Sequence, residues 1–183
     1  MGFSSDTRAS RPAPLGSSFI PFSGAYQMSA VAGGNVIPWL RYRNAFVAID
    51  WLQSAFGFEP EVIHAEGHVV HHARLNCGSG QVILGSAEDG TAWDRHMVQP
   101  DETGGRETQS CWVVVDDVDT HYRHSVAAGA EVVIPLADQA YGGRGYACRD
   151  IEGHLWWFGS HDPLEQPTLN RPSASGGQRK YHH

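Results

Sequence analysis

Residues 140–160 read AYGGRGYACRDIEGHLWWFGS, and the order of elements in this stretch decides the fold. A glycine-rich loop leads into a strand centred on Tyr146–Cys148, Asp150-Ile151-Glu152-Gly153 reverses the chain, and a second strand runs Leu155-Trp156-Trp157-Phe158. The reversal has a mechanism. Gly153 takes the positive φ that a tight turn requires, and the Asp150 side chain bonds the backbone two residues on. The second strand is aromatic on both faces, which suits a strand with a core on one side and an apolar cavity on the other. It is expected to form a cavity wall.

Reading outward from this hairpin, Ser110–Asp117 forms a strand, and Val118–Ala128 forms a helix opened by an Asp in the capping position and stopped by Gly129. Glu131–Pro135 supplies a further strand before the hairpin. The same order stands earlier in the chain. Val36–Arg43 reads as a strand; Ala45–Phe56 carries Phe46, Ile49, Trp51, Leu52 and Phe56 near helical spacing, with Gly57 as its stop. Three strands follow, Glu61–Glu66, Val69–Asn76 and Gln81–Leu84, the last two joined by Cys77-Gly78-Ser79-Gly80. Gly57-Phe58-Glu59 answers Gly129-Ala130-Glu131, and Leu84-Gly85-Ser86 answers Phe158-Gly159-Ser160. The fold class is therefore α+β: two tandem βαβββ modules, about 37–86 and 110–160, whose curled mixed sheets surround a cleft, with a polar linker at 87–109.

At 183 residues and 41% hydrophobic content the chain can bury a real core. A single domain is expected over 35–162, with an N-terminal flexible extension at 1–34 and a flexible C-terminal tail at 163–183, both poor in patterned apolar residues. Residues 35–162 hold 18 Asp and Glu against 8 Arg, a net charge of −10, while the flanks carry +3. Such an acidic domain repels nucleic acid and anionic lipid, so neither is expected as a partner. No apolar run approaches the length of a membrane span, and the first residues lack a signal-peptide pattern. Cys77, Cys111 and Cys148 are odd in number and show no CxxC spacing, which points to reduced thiols and a cytoplasmic setting.

The duplicated order, the openings PWLRYRNAFVAIDWLQSAFGFE and CWVVVDDVDTHYRHSVAAGAEVV, and the closing RDIEGHLWWFG together resemble the vicinal oxygen chelate superfamily, the glyoxalase, bleomycin-resistance and extradiol dioxygenase group. The resemblance covers nearly all of 36–162 and implies a homodimer with a small-molecule cleft. It also implies four positions where metal-dependent members place His, Gln or Glu. In this sequence they fall at or beside Ile37, at Ile83 or Leu84, at Ser110 and at Trp157, none of which offers a metal ligand. No metal and no cofactor are therefore expected.

Strand alternation sets what replaces those ligands. If Ile37 faces inward, so do Trp39 and Arg41; if Ser110 does, so do Trp112 and Val114; if Trp157 does, so does Leu155. Tyr141, Tyr146 and Arg144, on the loop before the closing strands, can reach the mouth. The expected ligand-binding set is Trp39, Arg41, Trp112, Val114, Leu155, Trp157, Tyr141 and Arg144. The three tryptophans either wall a binding site or fill a core; Arg41, costly to bury unpaired, favours the site. His68 and His72 can share a strand face, His121 and His124 read as solvated helix residues, and His154 as a polar turn residue. The glycine runs at 78–80 and 142–145 lack the strand-loop-helix setting of phosphate cradles. The linker reads either as a lid or as a solvated connector. The resulting expectation is a metal-independent protein of the bleomycin-resistance type that binds aromatic or drug-like small molecules. Its alternative is an enzyme of the same group, a lyase, isomerase or dioxygenase acting in the same cleft, with or without metal.

Overall fold

A computed structural model describes residues 34–164. The terminal segments expected to stand outside the domain, 1–34 and 163–183, lie outside the described residues apart from Gly34, Pro163 and Leu164. The first module runs β1 (Trp39–Tyr42), α1 (Ala45–Phe56), β2 (Glu59–Glu66), β3 (Val69–Cys77) and β4 (Gly80–Ser86). The second runs β5 (Cys111–Val114), α2 (Val118–Ala127), β6 (Glu131–Asp138), β7 (Arg144–Arg149) and β8 (Leu155–Gly159). Each module forms a four-stranded mixed sheet, ordered β1-β4-β3-β2 and β5-β8-β7-β6, in which only the first pair is parallel. The α+β duplication expected from the sequence is the observed architecture.

The helix ends follow local chemistry. The Asn44 side chain accepts from Val47 N at 3.2 Å, and Gly57 closes α1 at φ 73°. Asp117 accepts from Thr120 N at 3.0 Å to open α2, and Gly129 follows its end at φ 95°. The buried stripe of α1 differs from the expected one. It consists of Ala45, Ala48, Ile49, Leu52, Ala55 and Phe56, whereas Phe46 is exposed. Three alanines on that stripe let the helix backbone approach its neighbours closely.

Both modules turn one sheet face toward a common interior. Phe56 at the end of α1 packs 4.6 Å from Phe158 and 5.7 Å from Trp156, ring centre to ring centre, and Phe58 packs 5.4 Å from Trp156. These rings share one apolar cluster with Tyr42, Leu52, Leu75, Leu84 and Tyr146. The helices also cap each other. The last carbonyls of an α-helix have no partner within it, and those of α1 are met from α2: His124 at Ser54 O, Ser125 at Ala55 O, His121 at Phe56 O. In return Trp51 Nε1 donates to Ala128 O at 2.9 Å. His121 is thus no solvated residue. It lies 2.8 Å from the Tyr146 hydroxyl and 4.3 Å from the Phe158 ring, and burial pushes its pKa below the ordinary value. His68 and His72 do not share an expected strand face either, because β3 begins at Val69 and a bulge at His71 shifts the register against β2. His72 faces His64 instead, ring centres 6.1 Å apart.

Candidate functional site

With Leu84, Val82, Trp156 and Phe158 committed to the interior, alternation puts Trp39, Arg41 and Ile83 on the outer face of the first sheet, and Trp112, Val114, Leu155 and Trp157 on that of the second. The expected site residues divide between two places.

One is the outer face of the second module. Trp112 and Trp157 are paired across β5 and β8 with ring centres 5.5 Å apart, and Tyr141 lies 5.9 Å from Trp112. Two glycines make room for Trp157. A Cβ on Gly145 would stand 2.5 Å from Trp157 Cζ2, and one on Gly159 would stand 3.1 Å from Trp157 Nε1. The indole therefore lies along the strands and presents a flat wall. Trp112 and Val114 keep 46% and 45% of their surface exposed, which is unusual for a cluster of large apolar groups on a monomer. Arg144 is not part of this wall. It alternates with Trp157's partner strand toward the helix side, where its guanidinium meets Asp138 at 2.8 Å and Asp119 of α2 at 3.2 Å.

The other place is beside β1, under the linker. The linker carries two short 3-10 helices, Ala92–Arg95 and Pro100–Thr103, and folds over the outer face of β1. Arg41 is 2% exposed, and its Nη2 lies 2.9 Å from both Asp89 and Asp94. Two linker carboxylates thus neutralise its charge from within the chain, while its buried Nη1 has no hydrogen-bond partner among the described residues. Trp93 stacks edge-on against Trp39 at 4.8 Å. Past the second 3-10 helix, Glu107 accepts from Leu155 N and lies 2.7 Å from His154 Nδ1, while His154 Nε2 lies 2.9 Å from Arg41 O. The linker is a strap, neither a free lid nor a solvated connector. Between it and the strand edges lies a cavity of about 310 Å³ lined by residues of β1, the linker and the start of β5 and β8, Trp39 and Leu155 among them.

His154 was legible only as a turn residue, yet it is 7% exposed and both ring nitrogens face acceptors. Only the imidazolium donates to both. Burial opposes the charge, but the Glu107 carboxylate, Asp150 and the Arg41 carbonyl together hold its pKa above 6.5. A raised pKa contributes stability that is complete below the unfolded value and lost as pH rises through the folded one. The melting temperature is therefore expected to fall as pH rises above about 6.5, and Glu107→Gln to flatten that fall; a Glu107→Gln protein with the wild-type pH profile of melting would contradict the pairing. Of the three cysteines, all free, burial pushes Cys111 to about 11 and Cys148 to about 12, so neither is a thiolate near neutrality.

The four positions at which the resemblance places metal ligands are Ile37, Ile83, Ser110 and Trp157; Leu84, the alternative at the second, is fully buried in the interior. This donor set does not fit a metal of the family type. Among the described residues no group of three or more His, Cys, Asp or Glu could hold a metal ion. Also among them, no helix is long and apolar enough to cross a membrane.

Comparison with known proteins places these features. The profile of the Glyoxalase/Bleomycin resistance protein/Dioxygenase superfamily matches residues 35–158. The uncharacterized protein Mb0911c of Mycobacterium bovis is 29% identical over 140 residues, 75% of this chain and 89% of its own length. The crystal structure of TioX from Micromonospora sp. ML1 superposes with a TM-score of 0.55 at 36% identity, covering 69% of this chain and 94% of that one. The fosfomycin resistance protein FosX from Mesorhizobium loti has the same fold, with a TM-score of 0.51 at 14% identity over 74% of this chain and 98% of its own.

Proposed function

The chain belongs to the glyoxalase/bleomycin resistance protein/dioxygenase superfamily, and within it we propose a metal-independent binding protein for planar aromatic or drug-like small molecules. The observation that carries this reading is the exposed aromatic wall of Trp112, Trp157 and Tyr141. Aromatic faces bind planar and cationic groups, each contact contributing about 0.5–2 kcal/mol once water is excluded, and a domain acidic over 35–162 favours the cations. The residues around Trp157 are Trp112, Leu155 and Ala147, with two glycines beneath it, and Tyr141 stands next to Trp112. The strand residues of this wall carry no carboxylate or thiol, and the imidazole beside it, His161, lies 5.3 Å from Tyr141, ring centre to ring centre, so the wall offers chiefly surface for binding.

One sheet face makes half a cleft. Because each sheet of this chain turns its helix side to the shared interior, the wall is closed by a second copy, in a homodimer that sets the outer face of one first module, with Val62, His64, His72 and Ile83, opposite the aromatic wall of the other chain. Two- and three-ring planar aromatics, neutral and cationic, are expected to quench tryptophan fluorescence. Trp112→Ala, at a site exposed enough to leave folding intact, weakens that binding about tenfold. A folded, dimeric protein that no member of such a panel quenches would remove the reading; a strictly monomeric one would remove the shared cleft.

A further inference from the structure

The cavity under the linker is a different site from the aromatic wall. Its walls are mostly apolar, with Trp39, Leu40, Met97, Pro100, Cys111 and Leu155 among them, and its volume of about 310 Å³ lies at the small end of the range for ligand pockets. One strong cation lines it with nothing to meet. Of the eight arginines between 34 and 164, Arg41, Arg43, Arg74, Arg144 and Arg149 meet carboxylates and Arg123 meets a threonine hydroxyl. The Arg106 guanidinium has no hydrogen bond or ion pair among the described residues, although acidic groups outnumber basic ones in this domain. Its place in the chain is nevertheless fixed. The Arg106 carbonyl accepts from the Thr103 hydroxyl, the Gly105 carbonyl before it accepts from Arg149 of β7, and the Glu107 carboxylate after it accepts from Leu155 N of β8. The other titratable groups of the lining leave its charge unanswered. Glu107 is the one carboxylate among the lining residues, and its second oxygen lies 2.7 Å from His154 Nδ1, so those two charges cancel. The Cys111 thiol is held neutral, at about 11, and His96 adds no negative charge.

We propose that this cavity is a second binding site, for a small organic anion: a carboxylate carried on a single-ring apolar body. Arg106 is exposed, so it stands at the mouth, where its planar guanidinium offers two parallel N–H donors to the two carboxylate oxygens. The apolar body enters between Trp39, Met97, Pro100 and Leu155. With the charge at the mouth, water still reaches the far side of the carboxylate, and the cost of burying an ion is avoided. The preference is opposite to that of the aromatic wall, which favours cations, and the proposal does not rest on that wall.

Benzoate is the probe; benzamide keeps its ring and shape without the charge, and acetate keeps the charge without the ring. The readout is the methyl signal of Met97, assigned with Met97→Leu, whose only companions in the sequence are Met1 and Met28. In the full chain benzoate should move that signal, with benzamide and acetate each binding about tenfold more weakly, and Arg106→Gln should weaken benzoate about tenfold. Arg95→Gln removes a cation that does not line the cavity and should leave benzoate binding unchanged. Trp112→Ala should also leave it unchanged while weakening the planar aromatics at the wall. The proposal is overturned if the Met97 signal does not move at millimolar benzoate, if benzamide or acetate binds as tightly, or if Arg106→Gln makes no difference. It is overturned as well if Arg95→Gln weakens benzoate as much as Arg106→Gln, the mark of a diffuse field, or if Trp112→Ala abolishes benzoate binding, which would put the probe at the wall. Failure of the planar aromatics to bind while benzoate still moves Met97 would remove the wall and leave this site standing. Should Arg106→Gln fail to fold, the comparison of benzoate with benzamide and acetate on the wild-type chain decides.

Discussion

Arg41→Met is expected to destabilise the protein by about 3–5 kcal/mol, the usual cost of removing one member of a buried ion pair and leaving the other charged. Methionine replaces most of the apolar stem and removes the guanidinium, whose Cζ lies 5.9 Å from the centre of the Trp39 ring, so the loss reports the charge together with that cation–π contact. Among the described residues the guanidinium is the only basic group that the ion pairs bring to Asp89, whose side chain is 5% exposed. Burial alone would raise the Asp89 pKa, but the Thr91 donors and Arg41 hold it at about 2. The sign follows from that direction. A depressed carboxylate contributes stability that is present above its ordinary value near 3.8 and lost as pH falls toward 2. The gap between wild type and Arg41→Met should therefore be widest at neutral pH and shrink in acid. At roughly 2–4 °C per kcal/mol for a chain of this size, the melting temperature falls by about 6–20 °C. A loss under about 1 kcal/mol at neutral pH would mean that the linker is held by its apolar contacts, with Trp93 on Trp39 the first to examine.

Most of the architecture could be read from the chain because its signals are local. Asp150 does bond the backbone two residues on, at Glu152 N, and Gly153 stands at φ 96°, as the turn required. Gly57 and Gly129 end their helices for the same conformational reason. Alternation placed Trp112 and Trp157 on one face, and their register pairing agrees. Alternation says which face of a sheet a residue occupies, but not what stands opposite that face. That is why Trp39 and Trp157, alike in parity, line different places. The α1 stripe was misread through Phe46, since size outweighed the three alanines that fix the approach of the helix. The linker pairs, Arg41 with Asp94 and His154 with Glu107, are separated by 53 and 47 residues and leave no periodic trace. One signal was present: a 23-residue segment between modules is too long for an idle connector in a compact domain. His121 shows the same limit, because a histidine beside acidic helix residues reads as solvated until the neighbouring helix end is known to need its nitrogen.

Asp150→Ala is expected to cost about 3–6 kcal/mol, and to do so by uncoupling the two modules. One carboxylate oxygen accepts the backbone N–H groups of Glu152 and His154 at 3.0 Å each, which folds the turn between β7 and β8. The other accepts from Trp156 Nε1 at 2.9 Å and from the hydroxyl of Tyr42 at 2.6 Å. Tyr42 belongs to the first module and is fully buried, so this oxygen ties β1 to β8 inside the core. Alanine leaves the Tyr42 and Trp156 donors buried with no acceptor, at about 1–3 kcal/mol each, and weakens the turn in addition. Asp150→Asn should be nearly as damaging, although it keeps the shape, because its NH2 group would point at two donors wherever the remaining oxygen serves the backbone. Burial and the Asp150 charge both hold the Tyr42 pKa well above 10, so the variant should also let Tyr42 ionise at lower pH, which tyrosinate absorbance reads directly. Tyr42→Phe removes the same inter-module bond from the other side while leaving Asp150 its three remaining donors, and should cost less, about 1 kcal/mol. In a double-mutant cycle of Tyr42→Phe with Asp150→Asn the two losses should be strongly non-additive. Additive losses, or an Asp150→Ala protein within about 1 kcal/mol of wild type, would show that the Phe56, Phe58 and Trp156 rings and the mutual caps of α1 and α2 suffice to join the modules, with the carboxylate serving only its own turn.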